Sequence, residues 1–305
     1  MINYILRFSG INLIDFLRGI NFMKQKVIET IRKYNLIEDE DKIVLGVSGG
    51  PDSISMLNIL KEIKDAQIIK FEIYVAHINH MIRKEAIDDE KYVEDYCNRN
   101  NIKCYIKRID VVKIANDKKM GTEEAGRNAR YDFFEEILKE TDSNKISIAH
   151  NKNDKIETII MHLLRGSGLS GLKGIEPIRD NKFIRPLIEC ERSEIEQYCE
   201  ENNLNPRIDK TNFENEYTRN KIRNIVIPYI KQEFNPNILQ TLSRLSEVVT
   251  EEVEYVDKQT QKIYQQILIE KTKELIALNL KKFNEQEKII KSQLILLATK
   301  QLMGS

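Results

Sequence analysis

The chain contains 305 residues, of which 41% are hydrophobic and 31% are charged, enough for one domain of ordinary size and a smaller second one. The chain has 48 basic and 48 acidic residues, so its formal net charge is zero. It therefore lacks the overall positive field of many nucleic-acid-binding proteins. No apolar run reaches the roughly 18 residues that a membrane-spanning helix needs. The four cysteines form no C-x-x-C pair and are too few for a disulfide framework, which favours a reducing cytoplasm.

Residues 1–22 are apolar but interrupted by three charged side chains, and no small-residue cleavage site follows them. They therefore do not resemble a signal peptide. A self-sufficient helical pattern begins after Met23 and continues from Lys24 to Tyr34. Two interpretations of residues 1–22 stay open, an upstream start and an added amphipathic helix, and we treat them as an N-terminal extension.

From residue 42 onward, short β-branched runs alternate with longer helical patterns. The predicted strands cover residues 43–47, 71–78, 103–110 and 145–150. The predicted helices cover residues 53–63, 85–98, 123–138 and 154–164. Such an alternation predicts a parallel sheet flanked by helices on both faces, with ligands at the carboxyl ends of the strands. A Gly-rich connection, a short strand and a helix complete this α/β domain of residues 23–230, at 165–174, 183–188 and 191–201.

Beyond Pro236 the pattern is helical to the end of the chain. Its apolar residues recur at helical spacings among many charged ones, at Leu239, Leu242, Leu245, Val249, Val253 and Val256. We interpret this stripe as packing within a smaller helical domain of residues 231–305 rather than as a ligand site.

A loop rich in glycine joins the first predicted strand to the next helix. It reads Ser48-Gly49-Gly50-Pro51-Asp52-Ser53. Consecutive glycines let backbone N–H groups face a bound anion without interference from a Cβ atom, and the N-terminus of the following helix adds the positive end of its dipole. The loop therefore predicts a phosphate site, with Ser48 and Ser53 as hydroxyl donors and Asp52 as a ligand of the Mg²⁺ that neutralises a triphosphate.

The same six residues also fit a plain strand-to-helix turn in which Asp or Ser caps the helix. Their position at the junction favours nucleotide binding over that alternative. Neither G-x-x-x-x-G-K-[ST] nor G-x-G-x-x-G occurs in the chain, which argues against a P-loop kinase or a dinucleotide oxidoreductase.

The loop resembles the pyrophosphate-loop signature of the N-type ATP pyrophosphatases, which activate a carbonyl oxygen with AMP. Later segments resemble one branch of that superfamily, the tRNA(Ile)-lysidine synthases. They comprise His77-Ile78-Asn79-His80-Met81-Ile82-Arg83; Glu124-Ala125-Gly126-Arg127 with Arg130-Tyr131; His150, Asp154, Glu157 and Thr158, followed by Arg165-Gly166-Ser167-Gly168; Arg185-Pro186-Leu187; Asp209-Lys210-Thr211-Asn212; and Arg219-Asn220-Lys221-Ile222-Arg223. The ordered matches run from about residue 43 to about residue 230.

This resemblance implies a Rossmann-like PP-loop ATPase domain and a carbon–nitrogen ligase that uses ATP and Mg²⁺. In such enzymes ATP transfers AMP to O2 of the wobble cytidine in the CAU anticodon of tRNA(Ile) and releases diphosphate. The ε-amine of L-lysine then attacks C2 and expels AMP, which changes decoding from AUG to AUA. The resemblance also implies a cytoplasmic enzyme, leaves a homodimer open, and leads us to expect that a further C-terminal tRNA-binding domain is missing.

The resemblance further implies three catalytic carboxylates, Asp52, Asp154 and Glu157, of which Asp52 would bind Mg²⁺. A helix beginning near residue 153 places Asp154 and Glu157 on one face, since they are three positions apart. They could bind the lysine amine or remove its proton, and which of them is the general base stays open. The alternative is an N-terminal capping pair. The implied ATP-binding residues are Ser48, Gly49, Gly50, Pro51, Asp52, Ser53, His77, Asn79 and His80.

Further candidates for contacts with lysine or tRNA are Arg127, Arg130, His150, Arg185, Asp209, Asn212, Arg219, Asn220 and Arg223. Residues 205–231 carry six basic and three acidic side chains in a neutral chain, which makes this segment the predicted tRNA contact. The alternative is that its arginines pair with carboxylates of the protein itself. Arg127 and Arg130 could likewise meet phosphate or form part of a solvated face.

Three positions depart from the family pattern, because Asn151 and Asn153 replace common His and Asp residues and Thr211 replaces Ser. These departures weaken a catalytic assignment for the three side chains. The competing interpretations are a tRNA 2-thiolation enzyme of the same superfamily and a non-catalytic nucleotide- or RNA-binding module. Thiolation would need reactive cysteines or an iron–sulfur cluster, and the spacing of Cys97, Cys104, Cys190 and Cys199 fits neither.

Overall fold

The computed structural model describes residues 22–82, 85–207 and 218–303, which form two compact units. The first unit contains the described residues up to Thr158 together with Ile175–Leu239, and the second contains Ile159–Gly174 and the described residues from Gln240 onward. The domain boundary expected at residue 230 stays a prediction. Of the N-terminal extension, only Phe22 lies within the described residues. No described helix is both long and apolar enough to cross a membrane.

A six-stranded sheet is the main element of the first unit. Its strands are β1 (Asp41–Gly46), β2 (Phe71–Asn79), β3 (Lys103–Arg108), β4 (Lys145–Ile148), β5 (Ile178–Arg179) and β6 (Phe183–Ile184). They lie in the order β3-β2-β1-β4-β6-β5, and every neighbouring pair is parallel except β5 with β6. The sheet flanked by helices that the alternating pattern predicts is therefore confirmed.

Helices follow most of the strands. They are α1 (Phe22–Tyr34), α2 (Pro51–Asp65), α3 (Ala86–Arg99), α4 (Val111–Lys118), α5 (Thr122–Glu140), α6 (Lys152–Leu164), α7 (Leu169–Leu172), α8 (Arg192–Glu201), α9 (Thr218–Lys221) and α10 (Ile227–Glu233). A π-helical turn, Ile222–Val226, joins α9 to α10. The pattern missed α4. The side chain of Asp110 accepts from the N–H of Lys113 at 2.9 Å and so starts this helix, which is why the strand expected at 103–110 ends at Arg108.

Apolar residues alternate along the strands and fill two cores, one on each face of the sheet. On β1, Ile43 and Leu45 belong to the core that α1, α2, α3 and α8 cover, whereas Val44 belongs to the core that α5 covers. This alternation follows from the two-residue period of a strand. Phe134 of α5 lies so close to Gly46 that a Cβ atom at Gly46 would overlap its ring. The carboxyl end of β1 and α5 are therefore tightly apposed.

The second unit is mainly helical, as the pattern predicts, but a β-hairpin interrupts it, so the expectation of helix alone from residue 236 to the end is wrong. Besides α7, it contains most of α11 (Ile238–Ile267), α12 (Leu280–Asn284), α13 (Lys288–Met303) and an antiparallel hairpin of β7 (Leu268–Lys271) with β8 (Ile276–Leu278). The hydroxyl of Thr272 accepts hydrogen bonds from the N–H groups of Glu274 and Leu275, at 3.3 and 3.0 Å, which closes the hairpin turn. Short apolar runs fit helix and strand alike, and this ambiguity explains the error.

The apolar stripe predicted on α11 is partly correct. Leu239 and Val249 are buried, whereas Leu245 is exposed over 44% of its surface, so its place in the stripe is wrong. The buried face passes through Ser243 and Ser246 instead. The Ser246 hydroxyl donates a hydrogen bond to the carbonyl of Lys173 at 2.7 Å, so a polar contact fills a position where the pattern favours an apolar one.

Candidate active site

The glycine-rich loop 48–53 lies between the carboxyl end of β1 and the first turn of α2. Gly49 has φ +90°, a conformation that residues with a Cβ atom rarely adopt. The Ser53 hydroxyl accepts hydrogen bonds from the N–H groups of Ser48 and Gly49, at 3.1 and 3.2 Å, and donates one to the carbonyl of Gly50 at 3.0 Å. No side chain caps α2, whose N-cap is Gly50. Its first N–H groups are therefore suited to bind an anion.

A cavity of about 270 Å³ opens beside this loop. Its polar lining is formed by Ser48, Asp52, Ser53, His80, Arg130 and His150, and its apolar lining includes Ala76, Ile78, Phe134, Ile148 and Ala149. The cavity lies at the carboxyl ends of β1 and β4, where the strand order reverses. Ligands of open α/β sheets bind at such switch points. The cavity thus combines a phosphate-binding end with a surface that suits a planar base.

Asp52 is the carboxylate inside this cavity. Asn151 Nδ2 donates a hydrogen bond to Asp52 Oδ1 at 2.8 Å. Burial raises the pKa of Asp52 to about 6, and the neighbouring Asp154 adds to the rise. A buried carboxylate of this kind gains from a nearby cation, and carboxylate oxygens are ligands that Mg²⁺ prefers. Asp52 therefore fits the predicted Mg²⁺ site.

Asp52 alone is not sufficient to hold a metal ion, which needs further ligands. Within the described residues, no group of three or more His, Cys, Asp or Glu side chains is arranged to bind one. Protein sites for Mg²⁺ commonly use one or two carboxylates and take their other ligands from substrate phosphates and water. The position of Asp52 next to the phosphate loop meets that requirement.

Asn151 links Asp52 to the start of α6. Its N–H donates to Asp154 Oδ2 at 3.1 Å, and its Oδ1 accepts from the N–H of Asp154 at 3.0 Å. The two side chains therefore cap the helix reciprocally, in agreement with the capping alternative for Asp154. Asp154 Oδ1 also accepts a hydrogen bond from Arg223 at 3.1 Å. Asn151, which departs from the family pattern, thus connects two predicted catalytic carboxylates, Asp52 and Asp154. Nothing in the sequence predicted this role for an asparagine.

Glu157 lies one turn further along α6 and is fully buried. Arg223 donates to both of its carboxylate oxygens, at 2.6 and 2.9 Å, and Arg219 donates to Oε2 at 3.1 Å. Burial raises the pKa of Glu157, while the hydrogen bonds from Arg223 oppose the rise. Removing both arginines would leave the buried Glu157 charge uncompensated, which is strongly destabilising. Glu157 therefore anchors two arginines and is not a capping residue.

The structure accounts for three arginines of segment 205–231 by ion pairs within the protein. Arg207 contacts two aspartates of α3, and Arg219 and Arg223 contact Glu157. Internal pairing therefore describes these three side chains, and their contact with RNA stays a prediction. The predicted residues Asp209 and Asn212, and Arg83 of the histidine motif, lie outside the described residues, while Asn220 lies on α9.

The histidine motif after β2 divides into structural and cavity-lining side chains. His77 is buried, and its Nδ1 lies 2.8 Å from a backbone carbonyl just after β1. Asn79 donates a hydrogen bond to Glu90 at 3.0 Å and shapes the turn at the end of β2. Only His80 of these three lines the cavity, and burial together with Arg130 lowers its pKa to about 4. Direct contact of His77 or Asn79 with ATP stays a prediction.

His150 lines the cavity just after β4. Arg185 Nε donates a hydrogen bond to His150 Nδ1 at 3.2 Å, which assigns the proton of the neutral ring to Nε2. Burial lowers the pKa of His150 to about 4, so the ring is neutral at pH 7. It can therefore donate a hydrogen bond from Nε2 without carrying a charge. Arg130 also lines the cavity, whereas Arg127 lies one turn earlier on α5 and is exposed.

Comparison with known proteins shows the family to which the chain belongs. The family model of the PP-loop domain matches residues 22–230, more than half of the chain. The chain belongs to the PP-loop domain family. The matched range includes the glycine-rich loop 48–53, and the assignment of this loop to phosphate stays a prediction.

Similar curated proteins are named tRNA(Ile)-lysidine synthase. One from Clostridium perfringens is 47% identical over 269 residues, which cover 88% of this chain and 57% of the relative. One from Clostridium acetobutylicum is 50% identical over 255 residues, which cover 83% and 55%. The resemblance to this group is confirmed, and the PP-loop chain spans somewhat more than half the length of these relatives.

The fold also resembles that of a solved structure, U34-tRNA thiolase NcsA from Methanococcus maripaludis with its [4Fe-4S] cluster. The TM-score is 0.62 at 20% sequence identity, and the match covers 82% of this chain and 85% of that one. At this identity the likeness shows the fold alone. It confirms the Rossmann-like class of the PP-loop domain.

Proposed function

We propose that this PP-loop protein is a cytoplasmic enzyme that ligates L-lysine to C2 of the wobble cytidine in the CAU anticodon of tRNA(Ile), with conversion of ATP to AMP and diphosphate. The carrying observation is the convergence of Asp52, Asp154 and Glu157 beside the phosphate loop, connected through Asn151 and Arg223. The shared name of the curated relatives supports this choice of substrates.

The first step is adenylation of the cytidine. We infer that the adenine lies against the apolar side of the cavity, formed by Ile78, Phe134 and Ile148, with the phosphates at loop 48–53. The cytidine O2 attacks the α-phosphorus, the bond to diphosphate breaks, and AMP is joined to O2. Asp52 would hold Mg²⁺, which neutralises the charge that develops on the diphosphate. His150 is placed to donate a neutral hydrogen bond inside the same cavity.

The second step is attack of the lysine ε-amine on C2, followed by departure of AMP with O2. The amine is an ammonium at neutral pH and must lose a proton before or during attack. Asp154 suits this task better than Glu157, because 15% of its side chain is exposed, against 1% for Glu157. Arginines also donate three hydrogen bonds to Glu157 but only one to Asp154. We therefore assign Asp154 as the group that binds and deprotonates the ammonium, and Glu157 as a positioning residue.

Diphosphate release from ATP and Mg²⁺ tests this proposal when lysine and a tRNA(Ile) transcript are omitted in turn. Release should require the transcript, and without lysine it should stop after one equivalent per transcript, because the adenylated tRNA cannot proceed. Asp154→Asn should retain that single equivalent and lose the turnover that lysine supports. Repeated turnover without tRNA or without lysine would contradict the proposal, and lysine-dependent turnover by Asp154→Asn would contradict the assignment of Asp154.

The cysteines do not support thiolation as the alternative reaction. Cys97, Cys190 and Cys199 are buried, and Cys104 is half-buried. Burial raises the pKa of Cys190 to about 12 and also raises the pKa of Cys199, which disfavours the thiolate that sulfur transfer needs. A hydrogen bond with Cys97 lowers the pKa of Cys104, but neither of these two cysteines lines the ATP cavity. No cluster of metal ligands includes a cysteine within the described residues. These observations favour lysine ligation.

A further inference from the structure

Two arginines contact the ring of Tyr131 on α5, outside the carboxylate network. The guanidinium carbons of Arg127 and Arg179 each lie 5.1 Å from the centroid of that ring, and Arg179 also lies 4.4 Å from the centroid of the Phe183 ring. A guanidinium that stacks on a ring keeps its N–H edge available for hydrogen bonds. Arg179 is on β5, the last strand at one edge of the sheet. We call Arg127, Tyr131 and Arg179 the arginine clamp.

Within the described residues, one carboxylate forms an ion pair with the arginine clamp, that of the exposed Asp180. Arg127 donates a hydrogen bond of 3.5 Å to the Tyr131 hydroxyl and makes no ion pair within the described parts of the chain. Nε of Arg179 is buried, lies 3.2 Å from the Asp180 carboxylate, which is 69% exposed, and donates no hydrogen bond to any described residue, so the terminal N–H groups of Arg179 are the ones that would meet a phosphate. Burial is the main cause of the lowered pKa of Arg185, and the positive charges of Arg179 and Arg127 lower it further. The clamp therefore favours binding of an anion.

The arginine clamp borders the ATP cavity. Tyr131 follows Arg130, which lines the cavity, and its ring packs edge-on against Phe134, another lining residue, with centroids 6.5 Å apart. Phe183 contacts Tyr131 in the same way at 5.2 Å. These rings fix the position of both guanidinium groups. An RNA nucleotide that enters the cavity would carry its neighbouring phosphates past this rim.

We propose that Arg179 and Arg127 each bind a backbone phosphate of single-stranded RNA next to the nucleotide that enters the cavity. This deepens the proposed function and rests on it for the identity of that nucleotide. A guanidinium fork matches the oxygen atoms of phosphate, which makes arginine suited to this contact. Arg219 and Arg223 are engaged by Glu157, whereas the clamp arginines have no such buried carboxylate partner among the described residues.

The salt dependence of RNA binding tests the proposal. The Kd for a fluorescent anticodon stem-loop is measured over a series of salt concentrations for the wild type, for Arg127→Ala, for Arg179→Ala and for the double variant. One phosphate contact with a single strand contributes about 0.7 to the slope of log Kd against log salt. Each single variant should therefore lower the slope by about 0.7, and the double variant by about 1.4, with ATP affinity unchanged in Arg179→Ala. As a control, Arg99→Ala removes the same charge from α3, which packs on β2 and β3 near the opposite edge, and should leave the slope unchanged.

Asp180→Asn provides a test in the opposite direction. It removes the carboxylate that competes for Arg179, and Asn tolerates the φ of +55° at this position, so RNA binding should tighten. An unchanged slope in Arg179→Ala, or weaker binding by Asp180→Asn, would overturn the proposal. If the slopes change as expected but the wild type shows no lysine-dependent diphosphate release, the arginine clamp stands and the proposed function fails.

Discussion

Replacing Asp52 with Asn should stabilise the protein and abolish its diphosphate release. The pKa of Asp52 rises from its ordinary value of 3.8 to about 6, chiefly because of burial. This difference corresponds to about 3 kcal/mol against the folded state once the carboxylate is ionised. The pKa of Asp52 is higher in the folded protein than in the unfolded protein. The contribution of Asp52 to stability is therefore fully present below pH 3.8, its ordinary pKa, and is lost as the pH rises through about 6. Asn cannot ionise, and its carbonyl can still accept the hydrogen bond from Asn151.

Urea unfolding without Mg²⁺ or ATP measures this effect. Asp52→Asn should exceed the wild type in free energy of unfolding by up to about 3 kcal/mol at pH 8, and by about half of that at pH 5, where Asp52 of the folded wild type is largely protonated. Asp65→Asn, at the other end of α2, changes a side chain that is 54% exposed and should shift stability by less than about 1 kcal/mol. A less stable Asp52→Asn variant at pH 8, or a difference that does not depend on pH, would refute the reasoning. Unchanged turnover would refute the Mg²⁺ assignment.

Three further predictions concern Glu157, the phosphate loop and the cysteines. Glu157→Gln should lower the free energy of unfolding by about 1.5–3 kcal/mol, because Arg219 and Arg223 lose a charged hydrogen-bond acceptor and keep only the Gln carbonyl in its place. Glu136→Gln in an exposed ion pair should cost about 0.2–1 kcal/mol, and equal losses in urea unfolding would contradict the buried network. Gly49→Ala places a Cβ atom on a residue with φ +90°, so calorimetry should show weaker ATP binding. The control Gly121→Ala, whose Cβ atom would meet nothing within 4 Å, should bind ATP normally. Unchanged ATP binding by Gly49→Ala would argue against the loop as the phosphate site. Replacing all four cysteines with Ala or Ser should cost about 1–3 kcal/mol and preserve lysine-dependent modification of tRNA, and a folded but inactive variant would favour thiolation instead.

The parts of the fold that the sequence predicted are those with a strong local period. β1 and β2 were predictable because they are short segments rich in β-branched and aromatic residues, and loop 48–53 because its glycines stand between a strand and a helix. The hairpin of β7 and β8 was not predictable, because its short apolar runs fit helix and strand alike.

The site was predictable in its residues but less so in their partners. Spacing placed Asp154 and Glu157 on one face of α6, yet their different roles depend on which oxygens Arg223 and Asn151 occupy. The contacts of Arg223 with α6 and of Asn151 with Asp52 join segments far apart in the chain, so no local pattern reports them, whereas the cap between Asn151 and Asp154 is local. The stacking of Arg179 on Tyr131 is long-range in the same sense.

The measurement that tests the central claim most directly is mass spectrometry of nucleosides from a tRNA(Ile) transcript with a CAU anticodon, after incubation with the protein, ATP, Mg²⁺ and isotopically labelled lysine. The account predicts that the wobble cytidine gains the mass of one labelled lysine less one water, in the wild type and in the variant without cysteines, but not in Asp154→Asn. An unmodified cytidine in the wild type, or a sulfur-containing nucleoside when a sulfur donor is added, would contradict it.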